Sequence, residues 1–446
     1  MEGNCEQLYR DKRVTPAEAI ASIGNAGASV RQLILGMGLA MPPALVKALG
    51  EAALEGSVGP LDLYYMHGTQ ELEEMLLQTG VQEAIKPRPL FLSAHDRAVL
   101  HAPGLEGWME YVPSTFHQVG RLLTEQIEPE CFMVTVSGMD KHGYFSLGTN
   151  ADYGASVVRK AKKVVVEVNR NMPRTFGECL LHVSDVDLIV ENDTPLGEVI
   201  TKPPTDNDIK IAESIASLIE DGDTLQMGIG GVPNAVLGML KNHHDLGLHS
   251  ELFSPAMVDL IEAGALNGRK KSWMQHKHVY TLALGDKAMF DFMDDNPSIV
   301  GYPASWVNNP GIIRKNRNMV SVNAAIEVDL SGQINAEQMA GGMHSGTGGQ
   351  LDFVRGAYAA PNGRSFVALP ATAKQGGVSR IVAQLQGGAV TDTRMDTQYV
   401  VTEFGCANLK GLSLRERAQA LIGLADPAFR EQLERDVHES GLFKRL

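Results

Sequence analysis

Cysteine is scarce and scattered. Cys5, Cys131, Cys179 and Cys406 are the only four in 446 residues, and no two form a CxxC pair. A disulfide framework and a cysteine zinc site are both disfavoured, and a reducing compartment is expected. Long apolar runs are missing too: none approaches the roughly 18 residues that a membrane span requires. The N-terminal MEGNCEQLYRDKR is polar and lacks the apolar centre of a signal peptide, so a cytoplasmic protein is expected. Positive charge is in deficit, with 39 Lys and Arg against 53 Asp and Glu and a formal net charge of −14. That balance argues against a general nucleic-acid binder, and any polyanionic ligand must find a local pocket of cations or N–H groups. The histidines are read as forming neither an HxxxH nor an HxH pattern, and no metal site is expected.

Glycine is plentiful, at 46 residues, which suits an α/β protein with many strand-to-helix turns. The length suggests two domains. Lys202-Pro203-Pro204-Thr205-Asp206, at the end of a polar stretch that starts at Glu191, marks the expected boundary. This gives domains 1–200 and 201–446. The first dozen residues read as disordered.

The most informative stretch runs from Asp223 to Pro255. Thr224 to Met227 alternates like a strand and enters Gly228-Ile229-Gly230-Gly231. Pro233 and Asn234 sit where a helix should start, and Leu246 to Leu252 is a second short strand bearing Glu251. In a βαβ unit the C-terminal ends of adjacent parallel strands lie together, which sets Glu251 beside the glycine loop. Backbone N–H groups of such a loop converge on an anion or a developing oxyanion. The loop lacks the third glycine of a dinucleotide fingerprint and the Lys-Ser/Thr of a phosphate-binding loop, which disfavours nucleotides of those kinds. His249 and Ser250 are strand neighbours on opposite faces, so they form no hydrolase relay.

The same grammar appears earlier. Ala17 to Ile23 parallels Ala212 to Leu218, and LILGMGLAMPPALVKAL (33–49) parallels TLQMGIGGVPNAVLGML (224–240). A strand follows each copy, but the first has Tyr64-Tyr65-Met66 where the second has His249-Ser250-Glu251. The expected architecture is therefore an internal duplication: two similar open α/β domains with mostly parallel sheets. Thr15-Pro16 caps a helix that Gly24 to Gly27 ends. Further strands are expected at 30–35, 164–168, 186–190, 319–330, 365–369 and 398–401, and helices from Leu412 to Leu424 and again from Pro427. Met343 to Gln350 is a second glycine-rich loop, and Asp352 is placed to cap the segment after it. Lys374 reads as a loop lysine, and Glu403 ends a strand, where α/β folds carry active residues.

The blocks MGIGGVPNAVL (227–237), DLGLHSELFS (245–254), NAAIEVDLSGQINAE (323–337), GTGGQLDFVRGA (346–357), LPATAK (369–374) and VTEFGCANLKGLSLRERAQALI (401–422) together resemble the acetyl-CoA hydrolase/transferase family. The branch most resembled is that of the 4-hydroxybutyrate and butyrate:acetate CoA-transferases. The resemblance implies two similar α/β domains with the active site in the cleft between them, and Glu251 as a nucleophile that becomes a glutamyl-CoA thioester. It implies coenzyme A as co-substrate with no tightly bound cofactor, and acyl-CoA and small carboxylates as partners. A homo-oligomer is expected, with neither nucleic acid nor membrane as partner. By the same match Gly228, Ile229, Gly230, Gly231 and Gly349 supply oxyanion donors. Ser345, Gly348, Gly349 and Lys374 line the CoA site, and Glu403 orients groups near Glu251. Met41-Pro42-Pro43 departs from the more polar loop expected there, which leaves the acyl substrate open: 4-hydroxybutyrate, acetate or butyrate, or a dicarboxylate such as succinate or itaconate. Arg174 is weighed as a holder of a second carboxylate and read rather as a surface residue. A thioesterase using the same glutamate and a non-catalytic CoA-binding module are the alternatives to a transferase.

Overall fold

The computed structural model describes residues 2–24, 30–199, 202–339 and 342–439. The chain forms two compact units, residues 1–199 with 279–306 and residues 200–278 with 307–446.

The first unit is built on six strands: β1 (Arg31–Leu35), β2 (Leu61–Tyr65), β3 (Ile85–Pro89), β4 (Cys131–Val136), β5 (Lys163–Val168) and β6 (Leu188–Glu191). Their order is β3-β2-β1-β4-β5-β6, and every pairing is parallel. Burial explains the apolar runs: all six residues of β4 are buried, as a strand covered on both faces requires. The helix Pro16–Ala21 starts as expected. Thr15 and Glu18 cap each other reciprocally, and Pro16 occupies the first turn. Gly24, after that helix, has φ +69, while the rest of the expected Gly24–Gly27 break lies outside the described residues. Helix Pro43–Leu54 buries Leu45, Val46, Ala48 and Leu49.

The second unit repeats the plan with β7 (Thr224–Met227), β8 (Gly247–Leu248), β9 (Met319–Ala324), β10 (Arg364–Ala368), β11 (Tyr399–Thr402) and β12 (Gly405–Asn408). The order is β8-β7-β9-β10-β11-β12. It is parallel as far as β11, with β12 folded back antiparallel. The strand order reverses between β7 and β9, and such a switch point is where open α/β sheets leave a crevice at the carboxyl ends of their strands. Helices Leu414–Leu424 and Pro427–Glu439 follow. Ala418, Leu421 and Leu424 pack into a core with Val328, Ile334, Val367 and Val400.

Two expectations need correction. A single cut at residue 200 assigns 279–306 to the second domain, yet these residues pack with the first unit. There the fully buried Tyr280 donates its hydroxyl to Gly148 O at 2.6 Å, and Asp152 N donates to Thr281 O at 3.0 Å. The first dozen residues are not disordered either: Glu2–Lys12 is a helix. Its last lysine donates to Val183 O (2.9 Å) and Val186 O (2.5 Å), and Tyr9 donates to Glu191 (2.8 Å).

Candidate active site

Glu251 stands just past the end of β8. The parallel register pairs Thr224 with Gly247 and Leu225 with Leu248. His249 N continues it by donating to Leu225 O at 3.1 Å, and Ser250 Oγ reaches Met227 O at 3.3 Å. Glu251 thus directly follows a residue anchored on the last residue of β7, immediately before the glycine loop begins. Gly230, at φ +129, is the N-cap of helix Gly231–Met239. That backbone conformation is open to glycine and strained for other residues. The helix therefore begins two residues before Pro233.

Two donors hold the Glu251 carboxylate. Asn308 Nδ2 lies 2.5 Å from Glu251 Oε2, and the backbone N–H of Gly349 also donates to the carboxylate. Gly349 is the N-cap of helix Gln350–Ala359, so the carboxylate lies at the positive end of a helix dipole. Gly349 has φ −98, which any residue adopts, and its requirement for glycine is spatial. A Cβ there would fall 3.0 Å from Glu251 Cδ and closer still to Glu251 Oε2 and Asn308 Nδ2. Burial pushes the Glu251 carboxyl up to about 7, the buried Asp352 carboxylate adds to the rise, and the Asn308 and Gly349 donors oppose it. A carboxylate poised near neutrality in a desolvated site is a marker of function.

Among the expected site residues, Glu251 and Gly349 are brought into contact. Gly348 (φ +55) immediately precedes Gly349. Ser345 belongs to the same loop, its Oγ near Ala336 O (3.4 Å) and Gly346 O (3.3 Å). The loop is tied down by Glu337, whose backbone carbonyl accepts from His344 N (2.8 Å) and Ser345 N (3.1 Å) and whose carboxylate accepts from Thr347 Oγ1 (2.6 Å). Lys374 is exposed at the tip of the hairpin Thr372–Ala373/Val378–Ser379, with φ +49. Glu403 sits in the tight β11–β12 turn and spends its carboxylate on Ala371 N (2.8 Å) and Asn207 Nδ2 (3.0 Å). That pairing ties the loop after β10 to the N-terminus of helix Asp206–Ala216 and describes a brace. Asp352 is not the N-cap; Gly349 is, and Asp352 lies three residues inside the helix, 2% exposed.

Sequence reasoning missed Asn308. It precedes Asn309-Pro310, a cap and a first-turn proline, and so reads as an ordinary turn. Its role in the site arises from a contact 57 residues from Glu251 along the chain. Arg174 is committed elsewhere, paired with Asp295 at 2.6 Å and Asp140 at 3.0 Å. The expectation that no HxH pattern occurs needs correction, because His276-Lys277-His278 has that spacing. His276 is exposed and His278 buried, and among the described residues no group of three or more His, Cys, Asp or Glu could hold a metal ion. No described helix is long and apolar enough to cross a membrane. In the first unit, the Met41–Pro43 loop lines a cavity of about 520 Å³ together with Met37, His67 and Thr135, at the carboxyl ends of β1, β2 and β4.

Comparison with known proteins converges on one family. The acetyl-CoA hydrolase/transferase N-terminal domain model matches residues 3–200 and the C-terminal domain model residues 285–437. The 4-hydroxybutyrate coenzyme A transferase of Clostridium kluyveri is 40% identical over 432 residues, 96% of this chain and 97% of its own. The succinyl-CoA:cyclohexane-1-carboxylate CoA transferase of Geobacter metallireducens is 40% identical over 96% of this chain and 95% of its own. RipA from Yersinia pestis superimposes with a TM-score of 0.92 at 43% identity, covering 98% of this chain and all of that one. An acetyl-CoA hydrolase of Kluyveromyces lactis is also similar, 31% identical over 51% of this chain. With matches over so much of its length, the chain belongs to the acetyl-CoA hydrolase/transferase family.

Proposed function

We propose that the protein is a CoA-transferase that exchanges CoA between an acyl-CoA and a small carboxylic acid, with Glu251 as nucleophile. The carrying observation is the Glu251 carboxylate held by Asn308 Nδ2 and the Gly349 N–H at a helix N-terminus. A carboxylate oxygen attacks the thioester carbonyl and CoA thiolate leaves, giving an acyl–glutamyl anhydride. The thiolate attacks the glutamyl carbonyl and expels the donor acid, which leaves a glutamyl-CoA thioester. The acceptor carboxylate attacks that thioester carbonyl and expels thiolate. The thiolate then attacks the acceptor carbonyl of the new anhydride, yielding the new acyl-CoA and free Glu251. No proton is consumed overall. Donors that grip the carboxylate are suited to the oxyanion that forms when its own carbonyl is attacked. The loop Gly228–Gly231 completes the oxyanion site, while Ser345, Gly348 and Lys374 line the path of CoA. The paired β–loop–α–β segments of the two units support an ancestral duplication.

Monocarboxylic acceptors such as 4-hydroxybutyrate, butyrate or acetate are favoured. The arginine considered for a second carboxylate, Arg174, is already paired with two aspartates. Transfer is favoured over hydrolysis because the named relatives that span nearly the whole chain are transferases. The test is initial-rate kinetics with acetyl-CoA against a panel of acids. Parallel double-reciprocal lines and acid-dependent formation of new acyl-CoA are expected. Steady release of free CoA, indifferent to added acid, would reassign the protein as a hydrolase.

A further inference from the structure

The nucleophile and its amide partner come from segments far apart in sequence, and one buried side chain joins them. His249, 1% exposed, places Nε2 at 2.8 Å from the carbonyl oxygen of Val307. A carbonyl only accepts, so Nε2 carries the proton. That carbonyl belongs to the rigid peptide plane leading directly into Asn308, and Asn308 Nδ2 returns to Glu251, two residues beyond His249. The path from His249 through Ser250 to the Glu251 carboxylate, across to the Asn308 amide, back to the Val307 carbonyl and on to the His249 ring is therefore a closed ring. Two of its links are hydrogen bonds. The ring is anchored to the sheet by His249 N on Leu225 O and Ser250 Oγ on Met227 O. Its edge is also fixed by Lys271, itself 2% exposed, whose Nζ donates to Leu248 O at 2.8 Å and Lys277 O at 2.9 Å.

We propose that His249 is a positioning residue for the transfer reaction: its bond to Val307 O holds the Asn308 amide on the Glu251 carboxylate. The proposal rests on Glu251 being the nucleophile. The groups packed around this ring are Lys271 behind His249, the Phe353 ring 6.3 Å from the imidazole, and Asp352 near Glu251. Burial, with Lys271 adding to it, holds His249 far below its ordinary value, at about 3. The imidazole thus stays neutral and the bond persists across the working pH range. Opening the ring frees the Asn308 amide to drift, and a shift of about 1 Å near reacting atoms typically costs about 100-fold in rate.

The experiment compares His249→Leu, His249→Gln and His249→Asn with the unaltered protein and with Glu251→Gln. The glutamine amide reaches about as far as imidazole Nε2, and the asparagine amide falls short. For His249→Leu and His249→Asn, kcat is expected to fall about 10- to 100-fold while KM for acyl-CoA stays within about twofold. The acidic limb of kcat/KM should move to higher pH, because a carboxylate that loses a donor is protonated more readily. His249→Gln should restore both kcat and the limb. If His249→Leu does not fold, the Gln and Asn pair carries the same comparison. Equal kcat and an unmoved limb in Gln and Asn would overturn the proposal and leave His249 a packing residue. Full exchange activity in Glu251→Gln would instead overturn the assignment of the nucleophile.

Discussion

Replacing Gly349 with alanine perturbs the site by a single methyl group. The backbone tolerates it, since φ −98 is open to any residue. The added Cβ, however, would lie 3.0 Å from Glu251 Cδ and nearer to Glu251 Oε2 and Asn308 Nδ2. Carbon atoms pack comfortably at about 3.5–4.0 Å, so the carboxylate and the amide must each retreat by the order of 1 Å. The Gly349 N–H is retained, which makes the cost one of geometry. Misplacement on this scale typically lowers a rate by about 100-fold, or about 2.7 kcal/mol of barrier at ~1.36 kcal/mol per decade. Overpacking costs a further 1–3 kcal/mol or so of stability. The assay is the exchange rate of acyl-CoA with a saturating acid, normalised to folded protein by thermal melting. A Gly349→Ala enzyme keeping more than about a third of kcat would refute the placement of Glu251 against that N–H.

Glu251→Gln should abolish transfer and also change the pH dependence of stability. The folded carboxyl is raised from 4.5 to about 7 by burial. The folded protein therefore loses stability as pH climbs from 4.5 through 7, and the glutamine variant is spared that loss. The gain above pH 7 is bounded by about 3 kcal/mol and vanishes below pH 4.5, as melts at pH 4 and pH 8 would reveal. In the parent enzyme, kcat/KM should rise with pH through about 7, because only the ionised carboxylate attacks. Arg174→Ala should destabilise by about 1 kcal/mol or less, since Asp295 is exposed and Asp140 keeps the backbone donors His142 N and Tyr144 N. It should leave the ratio of monocarboxylate to dicarboxylate kcat/KM within about twofold; a collapse of dicarboxylate use alone would make Arg174 a binding residue. Thr205→Ala removes a capping box with Asp208 and should cost about 1 kcal/mol in a denaturant titration.

Much of the second unit was legible in the sequence because its signals are local. An apolar strand, a glycine loop, a helix and a short strand bearing one acid favour a right-handed parallel unit, and β7 and β8 do pair in parallel. Asn308 was illegible because its meaning depends on a contact made 57 residues away, and nothing in Val307-Asn308-Asn309-Pro310 differs from a routine turn. The return of 279–306 to the first unit was hidden for a related reason. A short apolar segment such as Val279–Ala283 reads alike whichever unit it joins, and the Tyr280 hydroxyl decides by finding Gly148 O. The N-terminal helix escaped notice because its order derives from Lys12 and Tyr9 anchoring on residues 183–191. Glu403 was legible as a strand-end acid, but its partners were not: its carboxylate accepts from Ala371 N and Asn207 Nδ2, contacts made 32 and 196 residues away.

The most direct test is to incubate the protein with acetyl-CoA alone, digest it and weigh the peptide that contains Glu251, then repeat after adding an acceptor acid. A CoA-sized adduct on Glu251 that the acid discharges, with new acyl-CoA appearing, is the predicted result. A protein that turns over acetyl-CoA with no adduct on Glu251, or with the adduct on another residue, would contradict the assignment of Glu251 as the group that carries CoA.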